Sequence, residues 1–442
     1  MNFTNNNHSI HRKRDKPLGL LELIAIALGG MVGGGIFTIL GISVSLIGVF
    51  TPVAILIGGV IASLAAYSYV KLGVYYKDEG ATYSFYKKTF PHSPFAASLI
   101  GWWVVFGYIS TLALYAYTFA SYAISGFAFS DSEWLRKLIA GCVILTFALI
   151  NILSVKGMGK IEDMMVYAKL VILAVISFVL INNSQSTLPQ LFQNNNDTSL
   201  ISILIVASIT FVAYEGFQLV IHAVNEMEKP EKNIPLAIYS AIFLAILIYV
   251  VISLGAILAI PFDEIIQNKE YALAAGTGNI FGHFGTELVI LGALLATSSA
   301  ISGTLFGASR LMAVIAKDGY LPGMLDKRIN HIPVNAIITM STLAFILILA
   351  GSLEVILEFG SVTFLLVSLL MASANYKIRD LTNSSRALTV IAFMVLMSGT
   401  ILILYYEFTH QLLQVFFIGG LYILLTLGSW LYSRGKVHHI NN

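Results

Sequence analysis

Gly29-Gly30-Met31-Val32-Gly33-Gly34-Gly35 interrupts an apolar stretch that otherwise runs from 18 to 47. Glycine weakens a helix interior by about 1 kcal/mol relative to alanine, so a run this dense marks a break. A second interruption, Phe211-Val212-Ala213-Tyr214-Glu215-Gly216-Phe217, lies in the apolar stretch 199–224 and places an acid before a glycine. Taken alone, the first run also fits close helix packing, through the small-xxx-small spacing of Gly30 and Gly34. Two broken helices in corresponding positions favour a binding site near the middle of a membrane.

The rest of the chain supplies the membrane. Of its 442 residues, 57% are hydrophobic and only 11% charged, whereas soluble domains carry roughly 25% charged residues. A bilayer span needs about 20 apolar residues, and such stretches recur along almost the whole length. The expected fold class is an all-α polytopic membrane protein with twelve spans: 18–47, 51–73, 95–126, 135–154, 161–182, 199–224, 234–260, 285–316, 333–351, 354–374, 386–406 and 411–433. The prolines fall at or near span ends, so any mid-membrane break comes from glycine or polar residues. The single cysteine, Cys142, cannot form an internal disulfide and reads as a small packing residue. The basic stretch His11-Arg12-Lys13-Arg14-Asp15-Lys16 precedes no small-residue cleavage site and reads as a cytoplasmic tail.

Charge sets the orientation. Of the 25 Lys and Arg, only Arg136, Lys137 and Lys269 fall on one side's loops, and Lys169 and Arg310 lie within spans. The remainder collect on the other side, which the positive-inside rule makes cytoplasmic. Both termini are therefore expected in the cytoplasm, with the chain in the plasma membrane. The boundaries that follow are a tail at 1–17, five spans in 18–182, an outer polar loop at 183–198, five spans in 199–374, two appended spans in 375–433 and a tail at 434–442. The glycosylation patterns at Asn182 and Asn196 are ordinary features of an Asn- and Ser-rich loop.

Spans one and six are broken, and spans three and eight are both long. The offset is five in each case. Five is odd, so the second set enters from the opposite side, the pattern of an inverted repeat. A broken helix exposes carbonyls at the end of its first half and N–H groups at the start of its second. Carbonyls near Ala27 to Gly30 suit an ammonium or cation, and N–H groups near Gly33 to Gly35 suit a carboxylate. Gly29, Gly30, Gly33, Gly34, Gly35, Phe211, Ala213, Tyr214, Glu215 and Phe217 are the expected substrate-binding residues.

These elements resemble the amino acid–polyamine–organocation superfamily. Gly33-Gly34-Gly35-Ile36-Phe37 is similar to its glycine-rich element in helix one. The stretch from Asn225 to Pro235 resembles its acidic loop after helix six, and Ala316-Lys317-Asp318-Gly319-Tyr320-Leu321-Pro322 resembles the element after helix eight. The resemblance implies a LeuT-like 5+5 inverted repeat with two added helices and secondary transport of amino acids or related amines. A narrower similarity is to archaeal proton-coupled amino acid transporters of broad specificity. Tyr167-Ala168-Lys169-Leu170-Val171-Ile172-Leu173 matches the segment whose lysine replaces a sodium ion, and Thr297-Ser298-Ser299 matches the hydroxyls of that cation site. Lys169, Ser298, Ser299 and Glu215 are thus the expected proton-coupling residues. The loop Asp78-Glu79-Gly80-Ala81-Thr82-Tyr83 and the acid at Glu215 depart from the wider family.

Both intramembrane charges have alternatives. Lys169 either snorkels to the inner interface beside Glu162 or, as the resemblance implies, donates to a carbonyl near Gly29 and to Ser299. A buried ammonium is costly to keep charged, which makes it a candidate proton carrier. Glu215 either binds a second amine of the substrate, titrates during transport, or hydrogen-bonds unwound backbone as a neutral acid. Glu22, Glu354 and Glu358 read as interfacial, as do Trp102-Trp103 and Tyr405-Tyr406. Arg310 and Asp318 read as a gate contact or an anchor. No zinc spacing or nucleophile elbow occurs, so neither a metal nor an enzyme is expected. The coupling ion is the proton, with no other cofactor. The expected partners are an amino acid or related amine and lipid, and no nucleic acid. The rival function is an amino acid or polyamine exchanger with Lys169 structural.

Overall fold

The computed structural model describes residues 17–127, 129–153, 158–193, 198–268, 271–329 and 332–440. Residues 1–16, Asn196, Asp197 and the side chains of Glu162 and Asp163 lie outside the described set, and so do the readings placed on them.

The first apolar stretch forms α1 (Leu20–Met31) and α2 (Gly35–Ile47), then a 3-10 turn leads into α3 (Thr51–Tyr76). A short helix, α4 (Ala81–Thr89), precedes α5 (Pro94–Ile124), α6 (Glu133–Leu153), α7 (Met158–Asn182) and α8 (Leu188–Gln193). The second broken stretch is α9 (Leu200–Thr210), a 3-10 turn at Phe211–Tyr214 and α10 (Leu219–His222). The remaining helices are α11 (Pro230–Ala259), α12 (Phe262–Gln267), α13 (Ala272–Lys317), α14 (Val334–Ala350), α15 (Leu353–Lys377), α16 (Arg386–His410) and α17 (Leu412–Ile440). Among the described residues there is no strand, only isolated bridges at Leu18–Met227 and Ile329–Ile332.

Local chemistry starts these helices. Pro52, Pro94 and Pro230 occupy first turns, where no N–H is needed. Ser199, Ser352 and Ser385 cap α9, α15 and α16 by accepting from Ser202, Val355 and Leu388 N–H.

Several boundaries differ from the sequence reading. α13 begins a dozen residues before the expected span and bends at Gly282, whose φ of +62° only glycine adopts freely. The loop at 183–198 contains α8, and α17 continues through the stretch expected to be a tail. Pro235 lies inside α11, near its start. Cys142 is exposed on α6 rather than packed, because the side of α6 it occupies faces outward.

Among the described residues, ten helices are long and apolar enough to cross a membrane, and Leu20–Met31 and Val334–Ala350 are apolar but shorter. Outward faces carry Leu145, Phe178, Phe243, Leu413 and Phe416, all well exposed, a surface suited to lipid rather than water. The packing has an internal regularity. α3 lies along α11 and α5 along α13; α5 also meets α15 as α13 meets α7, and α3 meets α9 as α11 meets α1. α5 contacts α6 and α14, as α13 contacts α14 and α6. α16 and α17 pack outside this set, against α15 and α5.

Candidate functional site

The two breaks touch. α1 stays helical through Met31, so Gly29 and Gly30 belong to the helix and the interruption proper is Val32 to Gly34. In the second break Glu215 is extended and Gly216 has a φ of +121°, a conformation left to glycine. A Cβ on Gly30 would come within 3.1 Å of Gly216 Cα, and one on Gly35 within 2.9 Å of Ala213 Cα. A Cβ on Gly33 would meet Ala300 and Tyr115 at 2.6 and 2.8 Å, and one on Gly34 would meet Thr118 at 2.9 Å. The two sequence readings of the glycines, break and close packing, therefore coexist.

Side chains already occupy the carbonyls that end α1. Tyr115 OH donates to Gly30 O at 2.9 Å. Tyr249 OH lies 2.7 Å from Met31 O and 3.1 Å from Ala213 O, spanning both breaks. Lys169 Nζ donates to Gly29 O at 3.1 Å and to Val32 O at 2.6 Å. The sequence reading left these carbonyls open to an ammonium; the ammonium that reaches them is the chain's own. At the head of α2, helix geometry leaves the first N–H groups without intrahelical acceptors.

Lys169 also donates to Ser299 Oγ at 2.8 Å, and Ser299 donates onward to Ala296 O at 3.1 Å. Lys169 is 0% exposed, so it does not snorkel. One ammonium thus ties α7 to the end of α1 and to α13. Ser298 is half-buried, one residue round the helix from Ser299.

Glu215 is 2% exposed. Its Oε2 accepts from Gln218 Nε2 at 2.7 Å, and the same amide lies 3.1 Å from Tyr108 OH. Gln218 Oε1 accepts from Gly216 N–H at 3.1 Å. Glu215 Oε1 is buried with no hydrogen-bond partner among the described residues. The aromatic residues expected as cover are all buried but face different ways. Tyr214 OH donates to Ile55 O in α3 at 2.8 Å, and Phe217 sits edge-on to Tyr69 at 5.3 Å.

Sequence reasoning missed Tyr108, Tyr115, Gln218 and Tyr249. Their only signal was a lone polar group amid apolar helix. It also misplaced Glu358, which is 6% exposed beside the fully buried Glu407 rather than interfacial. Glu22 is exposed and accepts from Gly19 N–H. Arg310 caps Phe306 O and stacks on that ring, while Asp318 accepts from Lys87 and Tyr83, both at 2.7 Å. Trp102 and Trp103 pack on α17 through Tyr432 and Tyr422, whereas Tyr405 is exposed. Among the described residues no three His, Cys, Asp or Glu gather to hold a metal.

The chain is 28% identical over 399 residues to an uncharacterized protein of Methanocaldococcus jannaschii, covering 89% of this chain and 90% of the other. It is 27% identical over 423 residues to the inner membrane transport protein YbaT of Escherichia coli, covering 96% and 97%. It is 26% identical over 362 residues to the b(0,+)-type amino acid transporter 1 of Homo sapiens, covering 78% and 72%. Residues 18–420 match the family described as amino acid permease. The chain therefore belongs to that family, within the amino acid–polyamine–organocation superfamily, and is a multi-pass membrane transporter rather than an enzyme.

Proposed function

We propose that this chain carries an amino acid across the plasma membrane by alternating access, coupled to proton symport. The architecture behind this reading is twelve spans in a LeuT-like 5+5 inverted repeat, with both termini cytoplasmic. It is supported by the packing pattern, in which shifting both partners by five spans maps α3 on α11 and α5 on α13 onto themselves and exchanges α5 on α15 with α13 on α7 and α3 on α9 with α11 on α1. The substrate lies at the two breaks. The Gly33 N–H already donates to Met31 O at 2.9 Å, so the N–H groups of Gly34 and Gly35 hold its carboxylate, and its amine faces Ala213 and Glu215, with Phe211, Tyr214 and Phe217 behind. Gly29 and Gly30 let α1 approach that wall.

The observation that carries the proton coupling is Lys169. An ammonium has three N–H donors, and three acceptors surround it: Gly29 O, Val32 O and Ser299 Oγ. A neutral amine has only two N–H groups and a lone pair. Loss of the proton turns that lone pair toward an acceptor, so one tie breaks. The end of α1 then separates from α7 or α13, which opens the substrate site to the cytoplasm. The proton enters from outside with the substrate and leaves inside.

The test is uptake into proteoliposomes under an inward proton gradient. Lys169→Ala is expected to lose at least tenfold of the gradient-driven stimulation, about 1.4 kcal/mol of coupling, while retaining counterflow exchange. Unchanged gradient dependence sinks the coupling role. Wild-type counterflow with no gradient-driven accumulation would instead support exchange, with Lys169 as a strut holding the same three acceptors.

A further inference from the structure

A second set of buried charges has no part in the site above. Glu358 lies in the second turn of α15 and Glu407 in the last turn of α16. They are 6% and 0% exposed, on two helices that pack against each other, and each carboxyl feels the other's charge. No donor group reaches either oxygen of Glu407 or Oε2 of Glu358 among the described residues.

Among the described residues the neighbouring helices bring no compensating cation: Lys87 and Lys88 of α4, which packs on α15, pair with Asp318 and Asp78. α5 and α9 contain no Asp, Glu, Lys, Arg or His, and neither does the first half of α17. The charged residue of α3 is Lys71, which donates to Asn383 O at the other end of α16. On their own helices, Glu354 stands one turn before Glu358. His410 stands one turn past Tyr406, stacked on that ring. Glu354 lines a cavity of about 340 Å³ with Asp131, Glu133 and Arg136, one turn along α15 from the pair.

Two carboxylates on packed helices, out of water and without a cation, are not both charged. A single proton resolves the geometry, since one acid then donates to the other. We propose that Glu358 and Glu407 form a shared-proton site, a proton-binding centre separate from Lys169 that holds α16 against α15. The cavity beside Glu354, one helical turn away, is its route to water. The proposal does not depend on the role given to Lys169, which lies on other helices.

Infrared difference spectra of the purified full-length protein test it, read at the protonated-carboxyl band. The wild type is expected to show a band at neutral pH that fades as the pH rises and is absent from the Glu358→Gln/Glu407→Gln double variant. Glu407→Gln adds a second readout. Its amide N–H donates to Glu358 at any pH, as the shared proton does in the wild type. The folded wild type holds a proton that an unfolded chain has lost at neutral pH, so its stability falls as the pH rises. Glu407→Gln is expected to flatten that fall, seen as a Tm difference of about 2–4 °C between mildly acidic and mildly alkaline buffer. Should the variants not fold, the pH dependence of the wild-type band decides. No pH-sensitive band overturns the proposal. So does a band abolished by sodium at constant pH, which makes the pair a metal-cation site.

Discussion

At the scale of single residues, Glu215 concentrates the question of which substrate is carried. Gln218 holds one of its oxygens, and the other is buried without a donor where the two breaks meet. A second amine on the substrate would supply that donor through a charge-assisted hydrogen bond, worth about 1.5–3 kcal/mol. Glu215→Gln is therefore expected to lower arginine or putrescine uptake by about tenfold or more relative to alanine uptake. Equal small losses for all three substrates argue against recognition of a second amine. Residues of this kind differ in how far the sequence exposes them. Lys169 and Glu215 stand out because a charge in an apolar stretch is anomalous wherever it points. Tyr115 and Tyr249 do not, because a tyrosine in a membrane helix is equally at home at an interface, in a core or on a backbone carbonyl. Glu358 misled for a related reason. Distance from a span end gives depth in the membrane, not the face of the helix, and α15 turns this acid inward to α16.

At the scale of elements, α4 and the turn at 77–80 before it act as a bracket that hydropathy had no means of revealing, since their short, mixed sequence resembles a loop. Lys77 pairs with Glu231 at the start of α11, and Lys87 pairs with Asp318 at the end of α13. Glu79 holds the end of α10 through its carbonyl on His222 and its carboxylate on Asn225. Asp78 pins the bracket itself, pairing with Lys88 and accepting from Gly80 N–H at 2.8 Å. Partial burial pushes the Asp78 carboxyl up, but Lys88 and the Gly80 N–H outweigh it and hold the group below the usual carboxylate range. A depressed acid contributes stability that is present above its unfolded value and lost as the pH falls through the folded one. Asp78→Asn should therefore remove part of the acid-side loss of thermal stability and leave a pH-independent decrease in its place. The pair is partly exposed, so the effect is about 1 kcal/mol or less. Thermal unfolding across mildly acidic pH measures it, and an unchanged acid limb in the variant sinks the assignment. The breaks themselves were legible because glycine density is a local signal. Their exact limits were not, because α1 continues to Met31 on contacts with α11 and α13 that lie far away in sequence.

At the scale of the whole molecule, the charged junctions between helices gather into two separate groups. Asp131, before α6, and Glu133 and Arg136, in its first turn, line one cavity with Ser352 and Glu354 at the start of α15. Lys77, Lys87, Glu231 and Asp318 gather at other junctions, those of α3, α4, α11 and α13. Loops of like parity therefore meet, as an N-inside chain of twelve crossings requires, and most of the basic residues belong to the second group. If that group is cytoplasmic, the Glu354 cavity opens outward and the α4 bracket faces the cell interior. The lone Cys142 makes a simple background, since Cys142→Ala removes the only thiol. On it, Asp131→Cys should react in intact cells with a thiol reagent that cannot cross membranes. Lys327→Cys, exposed between α13 and α14, should react only after the cells are permeabilised. The opposite pattern would invert the molecule, placing the acidic cavity inside, and the direction of proton entry argued for Lys169 would fall with it. Labelling of both positions in intact cells would instead mean that an odd number of crossings does not separate them, which removes the twelve-span count and keeps the touching breaks.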